Sequence, residues 1–327
     1  MVFSDEKRLA LVIGNSNYDK APLNNPVNDA LLMAKTLEDL DFDVILDTNI
    51  SNRGGFISII KEFGVKRPDY DVAFVYYAGH GIQVGAENFL LPTKEVFETE
   101  FDVMDNGVSV QNIMRYLTGM TNQLNVLILD ACRDNPFEGN WNKTRSIKGR
   151  GLAKIPPPAG SLIAFSTDAG NTAADGDGKN SVYCESLCKN MNLKNIDLNQ
   201  VFINVRTNVL SITDGNQSPV EESKLTGDAF YLVKSNFENE FLAIEELIEQ
   251  KKYLDANQII REVITLDSKN IRAHLLQGEN YYNWKKADKS LSNPITSPVD
   301  FISGPSKTST LGNLLNGNTA SLTANIL

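Results

Sequence analysis

The stretch from Val72 to Gly81, VAFVYYAGHG, constrains the fold more than any other part of the chain. Its first seven residues are apolar or aromatic, and β-branched and aromatic side chains dominate them. Such a run is too short for a helix buried on all sides and is typical of a central strand covered on both faces, as in parallel sheets. We predict that this strand stops at Gly79-His80-Gly81, where two glycines let the backbone turn sharply and approach a ligand closely.

A second buried strand is predicted from Asn125 to Asp130, and it runs into Ala131-Cys132. If the two strands are parallel neighbours, His80 and Cys132 lie side by side at the carboxyl edge of the sheet. Ligands of open α/β sheets bind at this edge. The gap of 52 residues between His80 and Cys132 leaves room for a loop and a crossover helix.

Strands and helices alternate along the first two thirds of the chain, which predicts an α/β fold with a mostly parallel sheet and helices on both faces. The predicted strands are 9–13, 42–46, 72–78, 125–130, 161–165 and 230–233. The predicted helices are 26–37, where Pro26 follows the N-cap Asn25, and 53–63, 110–117, 181–189 and 198–210.

The composition is that of an ordinary globular protein, with 42% hydrophobic and 22% charged residues. A net charge of −10 and a pI near 4.9 argue against nucleic acid or an anionic membrane as a partner. Three cysteines fit a reducing compartment better than a disulfide framework. The N-terminal apolar run is too short for a signal-peptide core, and no run reaches the length of a membrane span, so we expect a cytoplasmic protein.

The motifs YYAGHG and LILDACRDNPF together resemble those of the caspase-like cysteine peptidases, and most closely their prokaryotic members, relatives of metacaspases. In caspases the histidine is known to precede the cysteine by about 50 residues. The resemblance extends from about Arg8 to Val233 and implies a caspase-like α/β/α sandwich. It also implies that Cys132 is the nucleophile, that His80 is its acid–base partner, and that the backbone N–H groups of Gly81 and Cys132 bind the oxyanion.

Two acids predict specificity for a basic residue before the scissile bond. Asp130 precedes Cys132 by two positions, so both should face the same side of the strand. Asp29 lies in the first turn of the helix after the first strand. The resemblance implies a role for both acids, because in metacaspases and paracaspases the acids at the positions of Asp29 and Asp130 line the pocket for the residue before the scissile bond. Two converging carboxylates favour a guanidinium, so we expect cleavage after Arg, then Lys, of protein or peptide substrates. Alternatively, Asp29 only complements the helix dipole and Asp130 caps its strand.

Residues 134–160 interrupt the alternation and are rich in glycine, proline and basic residues, which predicts a long exposed loop. In the caspase-like family this position is the linker between the large and small subunits. Self-processing is predicted here, with Arg145, Lys148 and Arg150 as candidate cleavage points. The alternative is a linker that is never cut.

The composition changes after residue 235, which we take as the end of the catalytic domain. Residues 236–291 are predicted to be helical and resemble a short tetratricopeptide-repeat-like region, a candidate surface for a protein partner. Stable arrays usually need three or more such repeats. Residues 292–327 are nearly uncharged and rich in Ser, Thr, Asn and Gly, which predicts a disordered tail.

No metal or cofactor is predicted. Cys184 and Cys188 share one helix face without further ligands nearby, which favours core packing. The run Asp175-Gly176-Asp177-Gly178 lacks the ligand spacing of an EF-hand, although many metacaspases respond to calcium, so calcium activation stays open. Three functions therefore remain: an active endopeptidase, a non-catalytic scaffold that binds partners through its repeat-like region, and a Cys-His enzyme acting on a non-peptide acyl group.

Overall fold

The structure is a computed structural model that describes residues 6–118, 123–132, 152–168, 178–234 and 237–288. The chain divides into two compact units, residues 1–233 and 234–327. The first unit contains the sheet and both predicted catalytic positions, and the second contains helices only in its described part.

The first unit is built on one mixed sheet whose central strands are parallel. Strand order is β2-β1-β3-β6-β7-β8; β8 pairs antiparallel with β7, β4 pairs antiparallel with β3, and β5 pairs antiparallel with β4. The strands are Arg8–Gly14 (β1), Phe42–Thr48 (β2), Val72–Val84 (β3), Glu87–Leu90 (β4), Val108–Ser109 (β5), Leu124–Cys132 (β6), Ser161–Phe165 (β7) and Val220–Ser223 (β8).

Helices cover both faces of this sheet, because alternate residues of the central strands enter different apolar clusters. Ala10, Phe74 and Ile128 pack with α1, α5 and α6, whereas Leu11, Val75 and Leu127 pack with α2 and α4. The helices of the unit are Pro26–Asp39 (α1), Arg53–Lys66 (α2), Glu100–Asn106 (α3), Val110–Met114 (α4), Val182–Met191 (α5) and Leu198–Ile212 (α6). The predicted α/β/α sandwich is thus confirmed.

A buried arginine in the segment before β3 binds the first residues of β6, at the end of the strands away from the predicted site. The Arg67 guanidinium donates from Nε and Nη2 to Asn125 Oδ1 at 3.1 and 2.7 Å, and from Nη2 to the Leu124 carbonyl at 3.4 Å. Burial lowers the pKa of Arg67 to about 10, which still leaves it charged at neutral pH. Its Nη1 also donates to the Tyr70 carbonyl, so Arg67 ties the segment that leads into β3 to the start of β6.

One prediction about the edge of the sheet was wrong. Residues 230–233 were predicted to be the last strand, yet in this stretch Tyr231 and Val233 form only isolated bridges, to Asp197 and Lys194. The last strand of the sheet is instead β8, whose sequence VEES is acidic and half-buried. An edge strand needs no continuous apolar run, which explains why the hydrophobic pattern did not reveal it.

The predicted linker is described only from residue 152 onward, and this last part is not fully exposed. Leu152 and Ile155 are buried in the apolar cluster beneath β3 and β6. Residues 152–160 form neither helix nor strand before β7 begins at Ser161, as predicted for a loop. The prediction that this part of the loop is exposed was wrong.

In the residues that the structure describes, the second unit has three helices, Glu238–Glu249 (α7), Tyr253–Leu266 (α8) and Ile271–Asp288 (α9). They enclose their own apolar cluster, which includes Phe241, Ile260 and Leu276. The tetratricopeptide-like character of this unit stays a prediction, as does the tail, which lies outside the described residues. Among all the helices that the structure describes, none is long and apolar enough to cross a bilayer.

Candidate active site

The sheet brings the backbones of His80 and Cys132 together. Strands β3 and β6 pair in parallel through nine residue pairs, from Val72 opposite Leu124 to His80 opposite Cys132. Neighbouring strands lie roughly 4.8 Å apart, so the two residues are direct neighbours at the carboxyl end of the pair. The side chain of Cys132 lies outside the described part of the structure.

The strand that carries His80 does not stop at the glycines, contrary to the sequence prediction. β3 continues through Gly79-His80-Gly81 to Val84, because its last residues form an antiparallel hairpin with β4. Gly79 has a φ of 153°, and a Cβ there would lie 2.7 Å from the hydroxyl oxygens of both Tyr18 and Tyr77. Glycine is therefore required at position 79 by conformation and by packing, and not by a turn.

The His80 imidazole is buried and held by a backbone carbonyl. Its Nε2 lies 2.7 Å from the carbonyl oxygen of Ala21, in the loop between β1 and α1. A carbonyl oxygen can only accept, so Nε2 carries a proton, and Nδ1 is the nitrogen that can take up another. Ala21 has a φ of 100°, a strained conformation for a residue with a side chain, and such strain is concentrated at functional sites.

Asp29 is buried in the first turn of α1, at 2% exposure. Its Oδ1 accepts hydrogen bonds from Asn180 Nδ2 and from the Ser181 backbone N–H, both at 2.9 Å. Burial, followed by the nearby charge of Asp130, raises the pKa of Asp29 from 3.8 to about 7. A carboxyl group with this pKa can change its charge near neutral pH.

Asp130 lies near Asp29 and shares a hydrogen-bonding residue with it. Its Oδ2 accepts from Tyr76 Oη at 2.9 Å and from Ser181 Oγ at 3.0 Å. Ser181 therefore donates to both acids, through its N–H and its hydroxyl, while it also caps α5 by accepting from the Cys184 N–H. The structure thus brings the two predicted pocket acids together in one buried cluster.

Sequence reasoning missed the role of Ser181. Its position before α5 indicates a helix cap, which is all that the local sequence shows. The contacts with Asp29 and Asp130 span 152 and 51 positions of the chain. Only the folded arrangement of β6, α1 and α5 reveals them.

Gly81, the other predicted oxyanion donor, lies in the β3–β4 hairpin. A Cβ at Gly81 would lie 3.0 Å from Leu152 Cδ2 and 3.2 Å from Ala131 Cβ. The space that a side chain would occupy is thus already filled by the protein. Glycine at position 81 therefore makes room for Leu152.

The remaining predicted positions are less informative. Cys184 and Cys188 are buried in the cluster beneath α1, with their sulfur atoms 3.9 Å apart, and burial raises the pKa of Cys184 well above its usual value. Within the described ranges no group of three or more His, Cys, Asp or Glu could hold a metal ion. Arg145, Lys148, Arg150 and the acids Asp175 and Asp177 lie outside the described residues.

Comparisons with known proteins agree with the fold described above. The model of a family described as "Caspase domain" matches residues 7–230. The Mucosa-associated lymphoid tissue lymphoma translocation protein 1 of Homo sapiens, and its homolog of Mus musculus, are 30% identical to this chain over 129 residues. That match covers 38% of this chain and only 15% of each relative.

The fold is also found among solved structures. The crystal structure of caspase-1 from Spodoptera frugiperda superposes with a TM-score of 0.52, covering 71% of this chain and 91% of that one. The two sequences are 17% identical over this superposition, so the likeness concerns the fold alone.

Proposed function

We propose that this chain, which belongs to the caspase-domain family, is a cysteine endopeptidase that cleaves peptide bonds after arginine or lysine. Membership of the family supports a cysteine-type peptidase that acts on proteins. The observation that carries the assignment to particular residues is the pairing of His80 with Cys132 across two adjacent parallel strands.

In the proposed reaction Cys132 gives its proton to Nδ1 of His80 and attacks the carbonyl carbon of the scissile bond. The new S–C bond converts the carbonyl oxygen into an oxyanion, for which the N–H groups of Gly81 and Cys132 are the proposed donors. The imidazolium then protonates the leaving amine as the C–N bond breaks. Water, deprotonated by His80, hydrolyses the thioester and restores the thiol. The Ala21 carbonyl, 2.7 Å from Nε2, stabilises the imidazolium of this cycle.

The preference for a basic residue rests on Asp29 and Asp130. Both are buried, at 2% and 8% exposure, and both accept hydrogen bonds from Ser181. Two buried carboxylates in one cluster repel each other, and a substrate guanidinium relieves that repulsion while bonding to both. A substrate aspartate would add a third negative charge, so we expect essentially no cleavage after Asp.

The test uses the purified full chain with fluorogenic peptides that differ only in the residue before the scissile bond, with and without calcium. Arg peptides should be cleaved fastest and Lys peptides second. Cys132→Ala and His80→Ala should abolish cleavage while the thermal transition is retained, since both residues lie at the carboxyl end of the β3–β6 pairing and not in its centre. Cys188→Ala and His274→Ala are matched controls that remove the same residue types elsewhere and should keep activity.

Two results would contradict the proposal. Turnover in Cys132→Ala near that of the unaltered chain would exclude Cys132 as the nucleophile, and faster cleavage after Asp than after Arg would exclude the acidic pocket. A chain that cleaves no peptide and whose Cys132 does not react with a thiol-directed probe would instead be a scaffold.

A further inference from the structure

The sheet has a gap beside His80. Strand β1 accompanies β3 only as far as Ala78, opposite Gly14, and β4 joins β3 from Gly81 onward, opposite Leu90. Between these partners, Gly79 and His80 have no strand on that side. Backbone groups in a buried strand need hydrogen-bond partners. The His80 carbonyl accepts from the Leu91 N–H at 3.1 Å, so it is the His80 N–H that needs a partner from outside the sheet.

The hydroxyl of Tyr18 occupies the gap. Tyr18 Oη accepts the hydrogen bond of the His80 backbone N–H at 3.0 Å and donates its own proton to the Leu91 carbonyl at 3.1 Å. The neighbouring Tyr77 hydroxyl donates to the His80 carbonyl at 2.7 Å, and burial raises its pKa well above the usual value, so it keeps that proton. The His80 N–H is thus bound by Tyr18, whereas the His80 carbonyl accepts both from Tyr77 and, at 3.1 Å, from the N–H of Leu91, which lies directly after β4.

The same tyrosine also contacts the catalytic ring. The centroids of the Tyr18 and His80 rings are 4.4 Å apart, with their planes inclined by 53°. Tyr18 is buried, at 4% exposure, and lies three positions before Ala21, whose carbonyl holds Nε2. One short loop therefore binds the backbone N–H of His80, packs on its ring and binds its protonated nitrogen.

This loop is itself braced from two sides. The backbone N–H groups of Ser16 and Asn17 both donate to Asn49 Oδ1 at 2.9 Å. Ser16 Oγ accepts from the Val27 N–H at 3.1 Å, which ties the loop to the first turn of α1. Tyr18 is consequently held in place by β2 and α1 and does not depend on His80 for its position.

We propose that Tyr18 is a positioning residue for His80, which it aligns with the nucleophile by replacing a missing strand partner and by packing on the imidazole. This inference rests on the proposed function, because it assumes that His80 exchanges a proton with Cys132. Tyr18 acts through His80 and has no contact with the reacting bond.

The test compares the unaltered chain with Tyr18→Phe, which keeps the aromatic ring and removes the hydroxyl. We expect kcat for an Arg peptide to fall roughly 10- to 100-fold with KM unchanged, because a small displacement of a catalytic group has effects of this size. Tyr70→Phe is the matched control: it removes a phenol hydrogen bond of 2.6 Å to Asp43 elsewhere in the unit and should keep full activity.

A second measurement reports on the alignment without any substrate. The rate at which iodoacetamide alkylates Cys132 is followed by mass spectrometry at pH 6 and pH 9. A thiol with the ordinary pKa of about 8.5 is almost un-ionised at pH 6, so fast alkylation there requires a well-placed imidazolium. The ratio of the rate at pH 6 to that at pH 9 should fall at least about 5-fold in Tyr18→Phe and stay unchanged in Tyr70→Phe.

The outcomes separate this inference from the proposed function. If the unaltered chain neither cleaves peptides nor shows fast alkylation of Cys132 at pH 6, both fall. If the unaltered chain does both and Tyr18→Phe matches it, only the role of Tyr18 is refuted. If Tyr18→Phe loses its cooperative thermal transition, a second variant with 3-fluorotyrosine encoded at position 18 is used. This change weakens the hydroxyl as a hydrogen-bond acceptor without removing it. A smaller fall in the same ratio is then expected, and an unchanged ratio refutes the inference equally.

Discussion

Lowering the pH from 8 to 6 should weaken the binding of arginine peptides through the protonation of Asp29. Burial and the charge of Asp130 raise the pKa of Asp29 from 3.8 to about 7, so its carboxylate exists only in part of this pH range. A guanidinium binds to the ionised form. Other titratable groups near the acid pair are Tyr76, Tyr183 and Cys184, whose raised pKa values keep them neutral over this range. Cys188 also lies near the pair, and its hydrogen bond with Cys184 lowers its pKa.

The size of the effect follows from the pKa. A shift of about three units means that an ionised Asp29 in the empty pocket is less favourable by about 4 kcal/mol than in water. With a pKa of about 7, about 10% of Asp29 is ionised at pH 6 and about 90% at pH 8. The affinity for an arginine peptide should therefore rise roughly 10-fold across this range.

The assay measures binding and not turnover, so that the titration of the catalytic pair does not interfere. Isothermal titration calorimetry with Cys132→Ala and an arginine peptide gives the dissociation constant between pH 6 and pH 8. Repeating it at pH 7 in buffers of different ionisation enthalpy gives the protons released. We expect the release of about half a proton per peptide bound, because about half of Asp29 is protonated there.

The matched control is Asp29→Asn in the same Cys132→Ala background. Asparagine retains an oxygen that can accept from Asn180 and Ser181, so it preserves the cluster and removes only the titration. Its affinity for the arginine peptide should be lower and independent of pH. Equal dissociation constants at pH 6 and pH 8 in the Cys132→Ala chain, with no proton released, would refute the assignment of Asp29 to the pocket.

Two further predictions concern stability and processing. Native Asp29 binds its proton more tightly than the unfolded chain does, so stability falls as the pH rises from 3.8 to about 7 and stays lower above it. Asp29→Asn should therefore raise the melting temperature at pH 8, by about 2–4 °C for each kcal/mol of cost that it removes, and should raise it by less at pH 5; calorimetry showing an equal gain at both pH values would contradict this. The unaltered chain should also cut itself between residues 138 and 154, after Arg145, Lys148 or Arg150, whereas Cys132→Ala stays whole. N-terminal sequencing of the fragments locates the cut, and an active preparation with only intact chain would disprove self-processing.

The core of the fold was predictable because it depends on local patterns. β1, β3, β6 and β7 are buried on both faces and show uninterrupted apolar runs, which the sequence displays directly. The pairing of His80 with Cys132 followed from two such runs and the rule for parallel sheets. The full length of β3 was not predictable, because it extends beyond the glycines only where β4 folds back on it as a hairpin.

The candidate site shows the same division. Asp29 and Asp130 could be proposed from their places on one helix and one strand. Ser181 and Tyr18 could not, because each acts across a gap that only the folded chain closes. A serine before a helix and a tyrosine in a loop are common features, and neither indicates by itself that it supports a catalytic or pocket residue.

If the chain were divided between residues 132 and 152, the order of the residues along the chain would decide which site residues each half contains. The first half keeps the proposed nucleophile Cys132, its proposed partner His80, and the carboxylates of Asp29 and Asp130. The second half keeps Asn180 and Ser181, which contribute donors but no charge. The five residue pairs between β6 and β7 still join the halves. Exchanging the second half between two relatives would thus alter the alignment of the pocket acids, whereas the charge that selects the substrate stays with the first half.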